Sequence, residues 1–426
     1  MGAARSSFIA SLGASAFTSG LMLLDRFILN FIPLYFWGAN IAGLWIVIKS
    51  WGFLLMSLEG GYPGKLSKSL ACFDETASLD DVDEVIKRAL FSSLLWGSGI
   101  FFLNVAFISC LVFLGFDFFG FDIGSISYDV GLMGFYAILY YQTQTILYAF
   151  RGVNRIAYGQ MVINFSKLIE VCVLAVIPMY GGITMCIFAL IFIRFVCVVV
   201  SGVLLKRAKK VRFAKVKPSS IEKNISEQKN SVSLNHWLAY FLYPLYPALY
   251  NFLPFAYISI FVSAAAVVQY SVVKLLGRLI VQLSQVLSRV LWPELLHKKA
   301  DELSQFESKI LKSFLIITLP MLILILVLSS YLDGRSFNGV SFDSTLAIIL
   351  SLAAFLMAYN DVLLSIFISD ERHFLPLVIR SLGLVFSLTL MFFLRVDGLF
   401  LIALILLILE ICVSILMTIS YKVSGN

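Results

Sequence analysis

A chain of 426 residues that is 60% hydrophobic and only 13% charged, with a mean hydropathy of +0.94, is too apolar for a soluble domain of ordinary composition. It reads as an all-α, polytopic membrane protein. The net charge of +7 does not point to nucleic acid, because Lys and Arg collect in the cytoplasmic loops of membrane proteins for topological reasons.

Apolar runs broken by Gly, Pro and charged residues place helices at about 8–32, 41–62, 86–114, 130–150, 158–179, 183–205, 236–258, 264–291, 310–332, 344–368, 374–394 and 397–420. The first run has Arg5 before it and a small-residue GASA stretch inside it, but stays apolar past residue 30, so a retained helix is expected rather than a cleaved signal. If the N-terminus is cytoplasmic, nearly all loop Lys and Arg fall inside, including Arg372 and Arg380, and only Arg335 and Arg395 fall outside. N-in and C-in is therefore the expected orientation. The basic stretch 206–235 separates an N-terminal six-helix bundle, 1–205, from a C-terminal one, 236–426. It reads as a flexible cytoplasmic linker attracted to anionic lipid.

An internal repeat supports that division. WIVIKSWG at 45–52 aligns with YSVVKLLG at 270–277, matching an aromatic residue, Val, Lys and Gly in register. Two six-helix copies of even topology would be related by an axis along the membrane normal, with a site between the halves near the midplane. Lys49 and Lys274 would then face each other.

Charged residues inside spans are the main functional signal, since each costs roughly 2.5 to 3.5 kcal/mol on insertion scales unless it meets water or a partner. The predicted spans hold Arg26, Lys49, Lys167, Arg194, Lys274, Arg278 and Arg289, against Asp25, Glu59, Glu170, Asp361 and Glu410. In the helix at 264–291, Lys274, Arg278, Gln282, Gln285 and Arg289 share one sector, at roughly 0°, 40°, 80°, 20° and 60° around the axis. That sector suits a water-filled cavity; Arg289, near the cytoplasmic edge, fits an entry contact or an interface anchor equally. On the first helix Ser11, Ser15, Ser19 and Arg26 share a face, while Asp25 points toward another helix. Lys167 and Glu170, at i and i+3, can neutralise each other, and Arg194 can join them.

The helix at 236–258 carries Pro244, Pro247 and Pro254 with tyrosines that include Tyr243 and Tyr250, followed by Asn251. Proline bends such helices, so this one is expected to serve as a gate, with tyrosines available to stack on sugar rings. QTQT at 142–145 offers amides and hydroxyls either to a cavity or to a neighbouring helix. The cysteines at 72, 110, 172, 186, 197 and 412 lie mostly inside apolar runs, and His236, His297 and His373 are scattered, so neither disulfide nor metal is expected. No G-x-x-x-x-G-K-[ST] loop is present, so neither ATP hydrolysis nor any other enzyme activity or cofactor is expected.

Two sets of six helices, the basic linker, Arg26, Lys49 and the run KLLGRLIVQLSQVLSRVLWPELLHKKAD resemble the Wzx-type polysaccharide flippases of the multidrug/oligosaccharidyl-lipid/polysaccharide (MOP) exporter superfamily. The resemblance implies a bacterial inner-membrane protein that moves an undecaprenyl-pyrophosphate-linked oligosaccharide, such as an O-antigen repeat unit, to the periplasmic leaflet by alternating access. It implies a cationic lumen, matched here by Arg26, Lys49, Lys274 and Arg278, and partners among glycan polymerase and chain-length regulator proteins. Gln282, Gln285, Arg289, Tyr243, Tyr250 and Asn251 are further lumen or entry candidates. Glu59, Asp361 and Glu410 are the acids available for ion coupling, or for balancing a lumen cation. A drug/cation antiporter of MATE type is the alternative, which the surplus of cations disfavours. A membrane glycan polymerase or ligase would be expected to carry a large outer loop, whereas 115–129 and 333–343 are short. The topology predicts that single cysteines introduced at 215–230 react with a permeant thiol reagent and not with an impermeant one applied outside, whereas those at 335–339 react with both.

Overall fold

The computed structural model describes residues 2–59, 66, 79–152, 156–213, 234–295, 300–369 and 374–424. Its helices are α1 (Gly2–Ser57), α2 (Leu79–Leu114), α3 (Ile123–Gly152), α4 (Ile156–Val176), α5 (Ile183–Phe213), α6 (Leu234–Phe261), α7 (Ala264–Leu295), α8 (Ala300–Leu332), α9 (Ser344–Ser369), α10 (Phe374–Phe393) and α11 (Leu399–Ser424). Ten stretches among the described residues are long and apolar enough to cross a membrane. The protein is a multi-pass, nearly all-helical membrane protein.

The first two expected helices are one element. α1 runs from Gly2 to Ser57 through Pro33, with a break at Gly38, where φ is 76° and ψ 173°. Glycine adopts that conformation at little cost, and a side chain would not. The sharp interruption expected of the proline-rich helix lies instead here: α6 passes through Pro244, Pro247 and Pro254 as one helix.

Several helices outrun their apolar cores. α5 continues to Phe213, into the stretch expected to be linker, because Lys206, Arg207, Lys209 and Lys210 suit the negative end of a helix dipole. The rest of that linker lies outside the described residues. α3 begins at Ile123, so the outer connection expected over 115–129 is shorter still. The other outer connection folds as a two-stranded hairpin, β1 (Ser336–Phe337) and β2 (Val340–Ser341), with Ser336 opposite Ser341 and Phe337 opposite Val340. Its turn residues, Asn338 (φ 47°) and Gly339 (φ 80°), both have the positive φ that a tight type I′ hairpin requires.

The chain forms two compact units. One comprises residues 1–10, 51–118 and 122–248; the other comprises 11–50, 119–121 and 249–426. This packing division differs from the sequence division at 206–235, since most of α1 packs with the later helices.

In the first unit Trp51 Nε1 donates to Asn104 Oδ1 at 2.9 Å, and Asn104 Nδ2 donates to the Val130 carbonyl at 3.1 Å, tying α1, α2 and α3. Gln142 of the QTQT stretch donates to Ser93 Oγ at 3.0 Å, a bond between helices. Leu66, Val82, Ile86, Ile146, Phe150 and Leu205 form an apolar cluster.

In the second unit Ser271 Oγ donates to Asn30 Oδ1 at 2.6 Å, joining α7 to α1. α1 approaches so closely that a Cβ on Gly43 would lie 2.1 Å from the Ala264 carbonyl oxygen. α7 and α9 meet at Gly277, where a Cβ would lie 2.8 Å from Ala354 Cβ and 3.2 Å from the Leu350 carbonyl oxygen. Ile280, Ile310, Phe314, Ala358 and Val362 fill the space beside that contact.

These glycines give a graded prediction. Overpacking a close contact costs roughly 1 to 3 kcal/mol, and a backbone collision is the harder to relieve. Thermal melting in detergent should fall most for Gly43→Ala and less for Gly277→Ala. Gly202→Ala, whose new methyl meets nothing within 4 Å, should be neutral or stabilising.

Candidate functional site

Buried charge is handled in more than one way. In the first, Glu170 is fully buried and receives two cations: Arg194 Nη2 at 2.5 Å and Lys167 Nζ at 3.2 Å. Tyr136 bridges them, its hydroxyl accepting from Arg194 at 3.1 Å and donating to Glu170 at 3.3 Å. Both pairings expected from spacing are present, and their role is structural. Glu59 lies just beyond the end of α1 and within electrostatic reach of Tyr140 and Tyr141.

The second unit holds the richer cluster. Tyr270, Lys274 and Arg278 stand at i, i+4 and i+8 on one face of α7, as helical spacing requires. The Lys274 ammonium lies over three rings, with centroids at 5.0 Å (Tyr250), 5.3 Å (Tyr270) and 5.4 Å (Phe255). Its nearest hydrogen-bond acceptor is the Tyr250 carbonyl, long at 3.5 Å. Arg278 Nη2 donates to Asn251 Oδ1. Arg26 reaches the same locality from α1: Lys274 feels the charges of Arg278, Arg26 and Glu410, and Arg278 feels Arg26. Asp25, expected to look toward another helix, also acts on Arg26. Three expected lumen cations, Arg26, Lys274 and Arg278, therefore gather with Tyr250 and Asn251. Gln282 is buried beyond them and Gln285 is half-buried. The side chains of Tyr243 and Arg289 lie outside the described residues.

Lys49 is buried with its ammonium 5.8 Å from the Trp45 ring centroid. Trp45 and Lys49 are thus related as Tyr270 and Lys274 are, and both pairs come from the aligned WIVIK and YSVVK segments. The glycines that follow are also alike, since Gly52 packs on Met133 of α3 and Gly277 on Ala354 of α9. Lys49 and Lys274, expected on opposite halves, belong to the same packing unit because α1 is held against α7.

Two of the three expected coupling acids, Asp361 and Glu410, are already engaged. Arg380, expected in an inner loop, is buried in α10 and bonds Asp361 of α9 through Nη1 at 2.7 Å. Glu410 of α11 is fully buried and accepts from Asn360 Nδ2 at 2.9 Å, while Ser414 donates to Asn360 Oδ1 at 3.0 Å. Sequence reading missed Tyr270, Phe255, Asn360 and Ser414. The i, i+4 spacing of Tyr270 and Lys274 was a visible signal for the first of these.

No family model matches the sequence, and no curated relative matches it. Solved structures do match over almost the full length. An inward-facing multidrug resistance MATE family transporter of the MOP superfamily superposes with a TM-score of 0.67 at 13% identity, covering 98% of each chain. The MATE transporter VcmN of Vibrio cholerae, in the bent form, gives 0.61 at 12% identity, covering 99% of this chain and 98% of its own. A MOP superfamily transporter from Pyrococcus furiosus, described as having a binding pocket of reverse polarity that suggests a different function, gives 0.52 at 11% identity, covering 97% and 96%. The fold is that of the MATE transporters.

The two charge arrangements predict opposite responses to mutation. Glu170→Gln leaves the buried Arg194 and the half-buried Lys167 without their carboxylate and should cost roughly 3 to 5 kcal/mol. Lys274→Met removes one of three mutually repelling cations and should leave the melting temperature unchanged or raise it. Melting curves of the two variants in the same detergent check this.

Proposed function

We propose that the protein is a flippase for an undecaprenyl-pyrophosphate-linked oligosaccharide, moving it from the cytoplasmic to the periplasmic leaflet by alternating access. The observation that carries this reading is the gathering of Arg26, Lys274 and Arg278 in one unit, with Lys274 balanced by ring faces. Keeping cations together in an apolar protein opposes stability, and an anion is the ligand that reverses the sign of that interaction. A pyrophosphate supplies the charge, and Arg278 presents planar, bidentate donors suited to it.

The residues around the cations suit sugars. Asn251, Gln282 and Gln285 offer amide donors and acceptors for sugar hydroxyls. Lys49, buried beside Trp45, is the fourth cation of the proposed lumen. The two sequence halves, 1–205 and 236–426, would be the bodies that rock. The reaction needs no covalent step, so no catalytic residue or cofactor is assigned. The same reading places the protein in a bacterial inner membrane, with glycan polymerase and chain-length regulator proteins as partners.

A drug/cation antiporter is the second reading, and the MATE fold is compatible with it. Organic cations favour acids or bare ring faces in a cavity. Here Lys274 already occupies the rings of Tyr250, Tyr270 and Phe255, which supports the anionic cargo instead. Glu410 and Asp361 remain the proposed ion carriers, each in competition with its present partner.

Reconstitution tests the proposal. Proteoliposomes containing the protein should translocate a fluorescent polyprenyl-pyrophosphate oligosaccharide, and Lys274→Ala or Arg278→Ala should slow this at least roughly tenfold, since a hydrogen bond to a charged group contributes about 1.5 to 3 kcal/mol. If the double variant translocates at the wild-type rate while a cationic dye is exported, the antiporter reading replaces this one.

A further inference from the structure

A groove of about 640 Å³ lies within the second unit, separate from the cation cluster. Its walls are Leu24, Phe27 and Phe31 of α1 and Leu275 and Leu279 of α7, and it is roofed by the hairpin, with Phe337 inside and Arg335 at the rim. Phe337 stacks edge-on against Phe31 at 5.4 Å, and Asn338 Nδ2 donates to the Leu34 carbonyl at 3.4 Å, fixing the hairpin over the groove. Leu24, Phe27 and Phe337 remain exposed, so the groove is open along its length.

Three features identify its occupant. The first is length: along α1 the lining runs from Leu34 to Leu23, roughly 16 Å at 1.5 Å per residue, about half of a 30 Å hydrocarbon core. That is the depth of a chain belonging to one leaflet. The second is charge, because Arg335 is the only ionisable residue among the described residues that line the groove. Its guanidinium lies 4.2 Å over the Tyr331 ring and forms no ion pair among the described residues. Asp333 nearby is engaged instead, accepting the Ser344 amide at 2.9 Å. The hairpin joins the end of α8 to the start of α9, so Arg335 stands at headgroup level.

The third feature is what α7 carries on its other side. Val272, Leu275 and Leu279 point roughly 100° to 160° away from Lys274, so one helix borders both the cation cluster and the groove. We propose that this groove docks the isoprenoid chain of the polyprenyl-pyrophosphate lipid, with a phosphate on Arg335. This rests on the cargo proposed above. On the expected orientation the hairpin is periplasmic, which makes the groove the station the lipid occupies after its headgroup leaves the cations.

Full-length protein in phosphatidylcholine nanodiscs, carrying a trace of a benzophenone-tagged polyprenyl pyrophosphate, tests the assignment. Irradiation should label residues 23–34 and 332–342, and excess farnesyl pyrophosphate should compete where farnesol does not. Arg335→Gln, on an exposed side chain, should cut labelling roughly tenfold, the size of one charge-assisted contact. Leu24→Trp with Leu275→Trp should abolish it by filling the groove. If that double variant fails to fold, Arg335→Gln decides alone. Lys274→Ala should leave groove labelling intact while slowing translocation, so loss of the cargo reading and loss of the groove register separately. Labelling that survives Arg335→Gln, or that phosphatidylglycerol displaces as well as farnesyl pyrophosphate does, overturns the proposal.

Discussion

The structure depends on how a positive charge is kept inside an apolar medium. An unpaired cation is costly in hydrocarbon, and the spans expected from sequence carry more Lys and Arg than Asp and Glu, so carboxylates within them cannot pair every cation. Two solutions appear. In the first unit Glu170 is shared between Arg194 and Lys167, with Tyr136 relaying between them, and the result is a structural strut. In the second unit Lys274 is offered ring faces and a long carbonyl contact, and Arg278 a neutral amide. Ring faces and amides stabilise a cation only partly, so the second arrangement compensates its cations less fully than the first.

The second unit also compensates acids locally: Asp361 is engaged by Arg380 and Glu410 by Asn360. The rings of Tyr250, Tyr270 and Phe255 are in turn in contact with Lys274. The charge arrangement of the second unit is set by a few side chains on α1, α6 and α7.

Most of the framework was legible because hydrocarbon imposes a simple rule on length and polarity. The apolar runs give the spans to within a few residues at most ends, and the ends that moved did so for readable reasons, as when the basic stretch after residue 205 prolonged α5. The pairing of Lys167 with Glu170 also followed from spacing and sign, and Arg194 was one cation that could join them. What escaped was whatever depends on residues distant in sequence. Arg380 was counted as a loop cation because its partner, Asp361, lies on another helix. Phe255 came to Lys274 from α6, which no periodicity on α7 announces. The division of α1 between two packing units was hidden for the same reason: the alignment of WIVIK with YSVVK reports common local geometry, and both lysines do sit over an aromatic ring, but it cannot say which helices α1 will pack against. The hairpin was different, since Asn338 and Gly339 are a strong local turn signal.

Gly277 has a mechanical consequence. It stands between Lys274 and Arg278 and lets α7 press against the backbone of α9, so the helix bearing the cations has no slack on its rear side. An axial twist or a sideways step of α7 would drive side chains into Leu350 and Ala354 unless α9 travelled too. The two helices are therefore coupled like parts of one lever, and a load placed on the lysine is felt at Asn360 and Asp361, nearly two turns beyond Ala354 along the same partner.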